Sequence, residues 1–232
     1  MECQSCSVKS CIINKYSKLK EIESFLNQKM SFTCRSGQQF ILEGAPVNGL
    51  YFVYSGSVKV YKHTANADSQ IIRFSKEGEI VGHRGFATNY VYDVSATAMT
   101  DSVLCNFPTT VLIEMLHNAP ALMFDFMMFY ADQLQKSEAN AIRFAKMSIK
   151  EKVVNGLLFI HHKFGQEGGY INIQLSRKDI ADFAGTSMDQ VIRVISSLKK
   201  DGYLQTIGKK IKIVDVESFQ NLISESNFFL EG

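Results

Sequence analysis

No stretch of this chain is long and apolar enough to span a bilayer, which takes about 20 consecutive apolar residues. The most apolar run, Ala119 to Tyr130, is short and is broken by Asp125. An export signal is missing too, because Glu2 and polar residues stand where its apolar core would lie. These absences imply a cytoplasmic protein with no membrane partner. Catalytic signatures are equally lacking: no H-E-x-x-H, G-x-G-x-x-G, P-loop or G-x-S-x-G occurs. His161 and His162 lie side by side on a predicted helix, Lys150–Phe164, so they diverge by about 100° and cannot chelate one metal from one face. His63 and His117 fall near predicted turns and need no function. The chain therefore does not read as an enzyme. Nor does one sign of charge dominate, the formal net charge being only +2.

What is present is an ordinary globular composition, 46% apolar and 21% charged, in 232 residues that can hold two modest domains. The small net charge hides a local asymmetry. From Leu175 to Ile213, eight basic residues stand against four acidic ones in under a fifth of the chain. A surface of that kind suits a phosphate backbone, whose neutralisation releases condensed counterions.

That basic stretch also carries the most specific pattern. LSRKDIADFAGTSMDQVIRVISSLKKDGYL parses as two helices joined by a tight turn. Ser176 with Asp179 and Ser187 with Gln190 are spaced as capping boxes, and Gly185 sits where the turn needs positive φ. Ile180, Ala181 and Ala184 form the inner face of the first helix; Val191, Val194, Ile195 and Leu198 form that of the second. Gly202 closes the second helix, and Tyr203–Thr206 and Lys210–Val214, joined through Gly208, form a wing with a basic tip. Arg193 is the first candidate for base readout, since Arg matches the N7 and O6 acceptors of guanine. Asp189 is placed to accept from a cytosine amine or to hold Arg193. Arg177, Thr186, Ser187 and Gln190 are further candidates for phosphate or base contact, and Lys209 and Lys210 for phosphate contact from the wing. Double-stranded DNA is the expected partner. The rival is a sensor module that acts through protein–protein contacts rather than DNA.

Upstream, glycines at 37, 44, 49, 56, 78 and 82 punctuate short β-rich runs: Gln39–Leu42, Leu50–Tyr54, Ser57–Lys62, Gln70–Phe74 and Val94–Met99. Such spacing predicts a small sandwich or barrel, with Ser55-Gly56 as a hairpin signal. A short amphipathic helix is expected over roughly Ser17–Gln28. Pro120 opens a long helix in which Met123, Met127, Tyr130, Leu134, Ser137, Ala141 and Phe144 follow heptad spacing. That seam is read as a homodimer interface, because a two-fold regulator matches paired half-sites. Packing of the helix on its own domain would explain the same stripe.

This order of parts resembles the family of the cyclic-AMP receptor protein and the fumarate-nitrate reduction regulator, the Crp/Fnr transcriptional regulators. The likeness is carried by GLYFVYSGSVKVYK, GEIVGHRG, and LSRKDIADFAGTSMDQVIRVI with the GKKIKI wing, and it covers nearly the whole chain. It implies an α+β fold with three parts: an effector-sensing β-roll of the cyclic-nucleotide-binding, jelly-roll type over 1–118, a long dimerisation helix over 119–148, and a winged helix-turn-helix over 149–232. It further implies an effector or redox signal that controls operator binding by a homodimer, with RNA polymerase as a further partner.

The effector is less legible. Cyclic-nucleotide-binding members hold the cyclic phosphate with an Arg-Ser pair. Gly78 and Glu79 match the preceding turn, but Asp93 and Val94 fall at the pair's positions. An anionic Asp repels a phosphate, so cyclic AMP is not expected; Gly78, Glu79 and Arg84 remain the pocket candidates. Cys3, Cys6 and Cys11, with Cys105 before the long helix, resemble the four ligands of a [4Fe–4S] cluster in the oxygen-sensing branch, with a spacing of four rather than five between the second and third. Free thiols, a four-thiolate zinc site and an N-terminal disulfide fit the same residues, and no bound metal is the default. Cys34 reads as an ordinary small buried residue. Within the reading head, Asp189 stands where the family carries Glu, and Ile192 where a small or polar residue is usual.

Overall fold

Two four-stranded antiparallel sheets form the heart of the N-terminal unit, Met1–Ala131, in a computed structural model that describes residues 2–64, 68–86 and 89–223. One sheet has the order β1-β8-β3-β6, built from β1 (Met30–Cys34), β3 (Gly49–Ser55), β6 (Ile80–Val81) and β8 (Ser102–Pro108). The other has the order β2-β7-β4-β5, built from β2 (Gln39–Ile41), β4 (Ser57–His63), β5 (Ser69–Lys76) and β7 (Ser95–Ala98). Period-two alternation sorts the side chains between two cores. Tyr51, Val53, Val58, Val60, Ala96, Ala98 and Leu104 meet between the sheets. Leu50, Phe52 and Phe107 leave the opposite face of the first sheet and pack under helices. The near-continuous apolar run of β3 thus reflects a strand covered on both faces.

Those helices are α1 (Ile12–Tyr16), α2 (Glu23–Leu26), α3 (Thr109–Asn118) and the start of α4 (Pro120–Lys146). Ile13, Ile22, Leu112, Met115, Leu122 and Phe126 join the second core. Ala119 separates α3 from α4, and Pro at the first position of α4 lacks only an N–H that would be unsatisfied there anyway.

Two expectations are corrected. Ser55-Gly56 does not close a hairpin, because β3 and β4 belong to different sheets. Gly56 turns a corner between them at φ +91°, so tightly that a Cβ would lie 2.2 Å from Ser102 Oγ. The helix expected over Ser17–Gln28 is broken into a 3-10 turn, Lys20–Ile22, and α2. Ser17 ends α1 instead of starting a helix, its hydroxyl donating to the Asn14 carbonyl at 2.8 Å. In this unit α1, β1, β6, β8, α3 and the 3-10 turn His83–Gly85 lay outside the expected set.

The C-terminal unit, Asp132–Gly232, opens with the later part of α4 and continues with α5 (Ile149–Phe164), capped by a Ser148–Glu151 capping box. A minimal hairpin follows, β9 (Gln166–Glu167) with β10 (Tyr170–Ile171). Then come α6 (Arg177–Ala184), α7 (Met188–Lys200), the hairpin of β11 (Leu204–Ile207) with β12 (Lys210–Ile213), and α8 (Val216–Gln220). The core side of α5 fits closely against α6: a Cβ at Gly156 would lie 3.3 Å from Phe183 Cδ1.

Candidate nucleic-acid interface and cysteine site

Local chemistry fixes the geometry of α6 and α7. Ser176 Oγ accepts from Asp179 N at 3.0 Å, while Asp179 Oδ2 accepts from Ser176 N at 3.0 Å. Gly185 ends α6 in the left-handed region at φ 59°, ψ 45°, and Thr186 N donates back to the Ala181 carbonyl at 3.1 Å. Ser187 and Gln190 repeat the capping box at 3.3 Å in both directions. Ala181 and Ala184, both buried, let the two helices cross closely, and Val191, Ile195 and Leu198 bury the inner face of α7.

The candidate contact residues divide by what already holds them. Ser187, Asp189 and Arg193 are exposed at the first turns of α7. Gln190 is only half free, since its Oε1 accepts from Ser187 N and from the Thr186 hydroxyl. Its amide NH₂ and the Ser187 hydroxyl proton remain to face a ligand. Arg177 is half-buried at the start of α6, and desolvation pulls its pKa below the ordinary guanidinium value. On the same helix, Lys178 pairs with Asp182 at 3.0 Å, which neutralises a nearly buried carboxylate. Ile207 pairs with Lys210, which leaves Gly208 and Lys209 as a two-residue turn. Positive φ at Gly208 alone, 58°, is the type II′ arrangement and sets Lys209 and Lys210 on an exposed tip.

The N-terminal cysteines are gathered by Asn14, whose Nδ2 donates to the carbonyls of Cys3 and Cys6, each at 3.2 Å. Cys11 is the N-cap residue of α1. Cys105 lies on β8 opposite Ser31 and Phe52, so its side chain shares the helix-covered face of the sheet with Phe52 and Phe107. Cys3, Cys6, Cys11 and Cys105 consequently line one cavity. Lys29 Nζ stands 3.9 Å from Cys105 Sγ, and Ser31 Oγ 3.8 Å from it. Burial pushes the Cys3 thiol up to about 11, opposed by the Lys29 charge, and burial also raises Cys11. All five cysteines are free thiols, and Cys34 sits in the core between the sheets.

The four thiols can be compared with the donor sets of two metal centres. Zn–S bonds of about 2.3 Å put the four sulfurs of a zinc site about 3.8 Å apart. Among the described residues no group of three or more His, Cys, Asp or Glu is gathered closely enough for one ion. A four-iron cluster spreads its four thiolate ligands over the corners of a larger body, and four cysteines around one cavity fit that donor set.

The same unit ties α1 to α4. Asp125 Oδ2 accepts from Lys15 Nζ at 2.6 Å and from Tyr16 OH at 2.7 Å. Tyr16 OH also lies 3.2 Å from the Ala121 carbonyl. Along α4, Leu122 and Phe126 are buried, whereas Met123, Met127, Leu134, Ser137 and Ala141 are exposed and Phe144 is half-buried. Tyr130 is committed, its hydroxyl donating to the His83 carbonyl at 2.7 Å.

Of the effector candidates, Glu79 and Arg84 both lie near enough to Arg73 to act on its charge. Gly78 packs against the N-terminal segment, where a Cβ would lie 2.0 Å from Ser10 Oγ. Glu79 Oε2 accepts from Lys76 N within its own turn, and Arg84 is exposed. Asp93 is exposed and Val94 is buried between the sheets. Two titratable groups that reach into the roll are Arg73, whose Nη2 donates to the Ile80 carbonyl at 2.5 Å, and the buried His83. Sequence reasoning passed over Arg73. Its signal is the alternation of β5, which places it beside Val60, a core residue.

Comparisons agree with this architecture. Residues 32–119 match the cyclic nucleotide-binding domain family and residues 151–222 the Crp-like helix-turn-helix domain family, together more than half of the chain. The electron transport regulator A of Shewanella oneidensis is 23% identical over 221 residues, covering 93% of this chain and 87% of that protein. The fumarate and nitrate reduction regulatory protein of Yersinia pestis is 24% identical over 229 residues, covering 96% and 90%. The solved structure of FixK2 from Bradyrhizobium japonicum superposes with a TM-score of 0.74 at 22% identity, covering 84% of this chain and 98% of that one.

Proposed function

The chain belongs to the Crp/Fnr family of transcriptional regulators, not to an enzyme family, and on that premise we propose that it is a homodimeric regulator in which a redox signal sensed by the N-terminal cysteines controls operator binding. DNA is read by α7, with Arg193 on guanine, Asp189 beside it, and Thr186, Ser187, Gln190 and Arg177 around them. Lys209 and Lys210 reach phosphate from the wing. The exposed stripe of α4 from Met123 through Met127, Leu134, Ser137 and Ala141 to Phe144 brings two protomers together, with Tyr130 anchored to its own roll. RNA polymerase is the further partner of such a protein. Among the described residues no single helix is long and apolar enough to cross a membrane, and the site of action on this reading is the cytoplasm.

The observation that carries the sensing part is the convergence of Cys3, Cys6, Cys11 and Cys105 on one cavity. These thiols would hold a [4Fe–4S] cluster, which when bound supplies an oxygen-labile link between the N-terminal segment and β8. Burial keeps Cys3 and Cys11 as neutral thiols until a metal displaces their protons. Cyclic AMP is not the effector on this reading, because an exposed Asp93 and a buried Val94 offer a phosphate no cation.

Two measurements test it. In a low-salt gel shift, Arg193→Ala loses operator binding while its fold is retained; unchanged affinity for specific and random DNA overturns the reading head. Anaerobically purified protein carries iron, sulfide and a brown absorption band; their absence removes the cluster. A micromolar cyclic-AMP dissociation constant by calorimetry would reverse the effector assignment.

A further inference from the structure

The outward face of α7 presents two rows side by side, because residues four apart share a helix face. Asp189 and Arg193 form a polar row. Met188 and Ile192 form an apolar one, and they are 48% and 43% exposed. Neither is needed by the fold, since Val191, Ile195 and Leu198 already fill the core side and Ser187 and Gln190 already cap the helix. A β-branched residue also gives an exposed helix position no propensity advantage.

The explanation lies in what the major groove offers. Guanine and adenine present hydrogen-bonding groups there and cytosine an amine beside a bare C5–H, whereas thymine carries a 5-methyl. We propose that Ile192, with Met188 one turn before it, reads a thymine methyl in each half-site, beside the base met by Arg193. The inference rests on the DNA-binding reading and adds the class of base recognised. Selection works in both directions. Over thymine the two side chains bury a methyl group, and over any other base edge they strip water from donors and acceptors and return no hydrogen bond. The basic excess of the surrounding stretch brings the duplex close without choosing a sequence, so the apolar row has only to discriminate.

The test uses the full-length protein. Operators are enriched from randomised duplexes, and each thymine is then replaced in turn by deoxyuracil, which removes only the methyl. At one thymine per half-site the substitution weakens binding about three- to fourfold, and about nine- to sixteenfold when made in both half-sites. Ile192→Ala binds the thymine and uracil operators alike, while Ile192→Val keeps most of the discrimination. Enriched operators that show no methyl effect overturn the inference, as does a methyl effect that persists unchanged in Ile192→Ala and Met188→Ala. Failure to enrich any duplex defeats the DNA-binding reading and takes this inference with it; enrichment without a methyl effect defeats this inference alone.

Discussion

At the scale of single residues, His83 is a titratable side chain held inside the roll. It is 3% exposed, its ring lies edge-on to Phe129 and Tyr130, and Arg73 Nη2 stands 3.4 Å from Nδ1. A guanidinium can only donate, so Nδ1 accepts and Nε2 carries the proton. That N–H is buried and has no hydrogen-bond partner among the described residues. Burial, with the charges of Arg73 and Arg84, holds the imidazole neutral with its pKa well below the usual histidine value. Unfolded, the same ring takes up a proton near pH 6.5. The neutral form therefore costs nothing above that pH, and stability falls as pH drops from about 6.5 toward the folded pKa, by up to about 1.4 kcal/mol per unit. Denaturant titrations at pH 7.5 and 5.5 will show this acid loss, and His83→Leu will reduce it. An equally steep loss in the variant would assign it to other groups, His161 among them, whose pKa burial also lowers.

At the scale of elements, Ser176→Ala and Ser187→Ala each remove an N-cap and will each cost about 1 kcal/mol in denaturant unfolding. Only Ser187→Ala will also weaken DNA binding in a gel shift, because Ser187 faces outward at the start of α7 and Ser176 does not. Equal binding by the two variants would leave Ser187 a purely structural cap. These caps and the turn at Gly185 were legible in the sequence because their partners lie within four residues. The corner at Gly56 was not, since Ser55-Gly56 has hairpin chemistry and only the pairing of β3 with β8, some fifty residues away, decides otherwise. The break in the expected Ser17–Gln28 helix had the same origin: local amphipathicity survives, but Ser17 is used to close α1. Within the candidate sites, the cysteine spacing signalled a ligand set, yet the convergence of Cys105 depends on the strand order β1-β8-β3. Arg73 was missed because one charge in an apolar strand reads as an exposed edge until its cross-strand partner is known.

At the scale of the molecule, the proposed homodimer rests on the seam of α4. Met127 and Leu134 are 56% and 62% exposed in the single chain. Burying a Leu contributes about 1.5–3 kcal/mol, and a symmetric interface counts it twice. Leu134→Glu removes both and sets two carboxylates against each other, so dimer dissociation will rise at least about 100-fold by sedimentation. Operator affinity will fall with it, because one protomer holds one half-site. A variant that sediments as the native protein does would place the interface elsewhere.

Asp125 gives the short helix α1 a consequence beyond packing. The helix is five residues long, about 7.5 Å at 1.5 Å per residue. Cys11 begins it, and Tyr16 and Lys15 end it against the carboxylate of Asp125. Little more than one turn of helix therefore separates Cys11 from the contacts of Asp125, which stands two residues from Met123 and Met127. On the proposed function, chemistry at the sulfurs acts at one end of this short link and the proposed seam lies at the other.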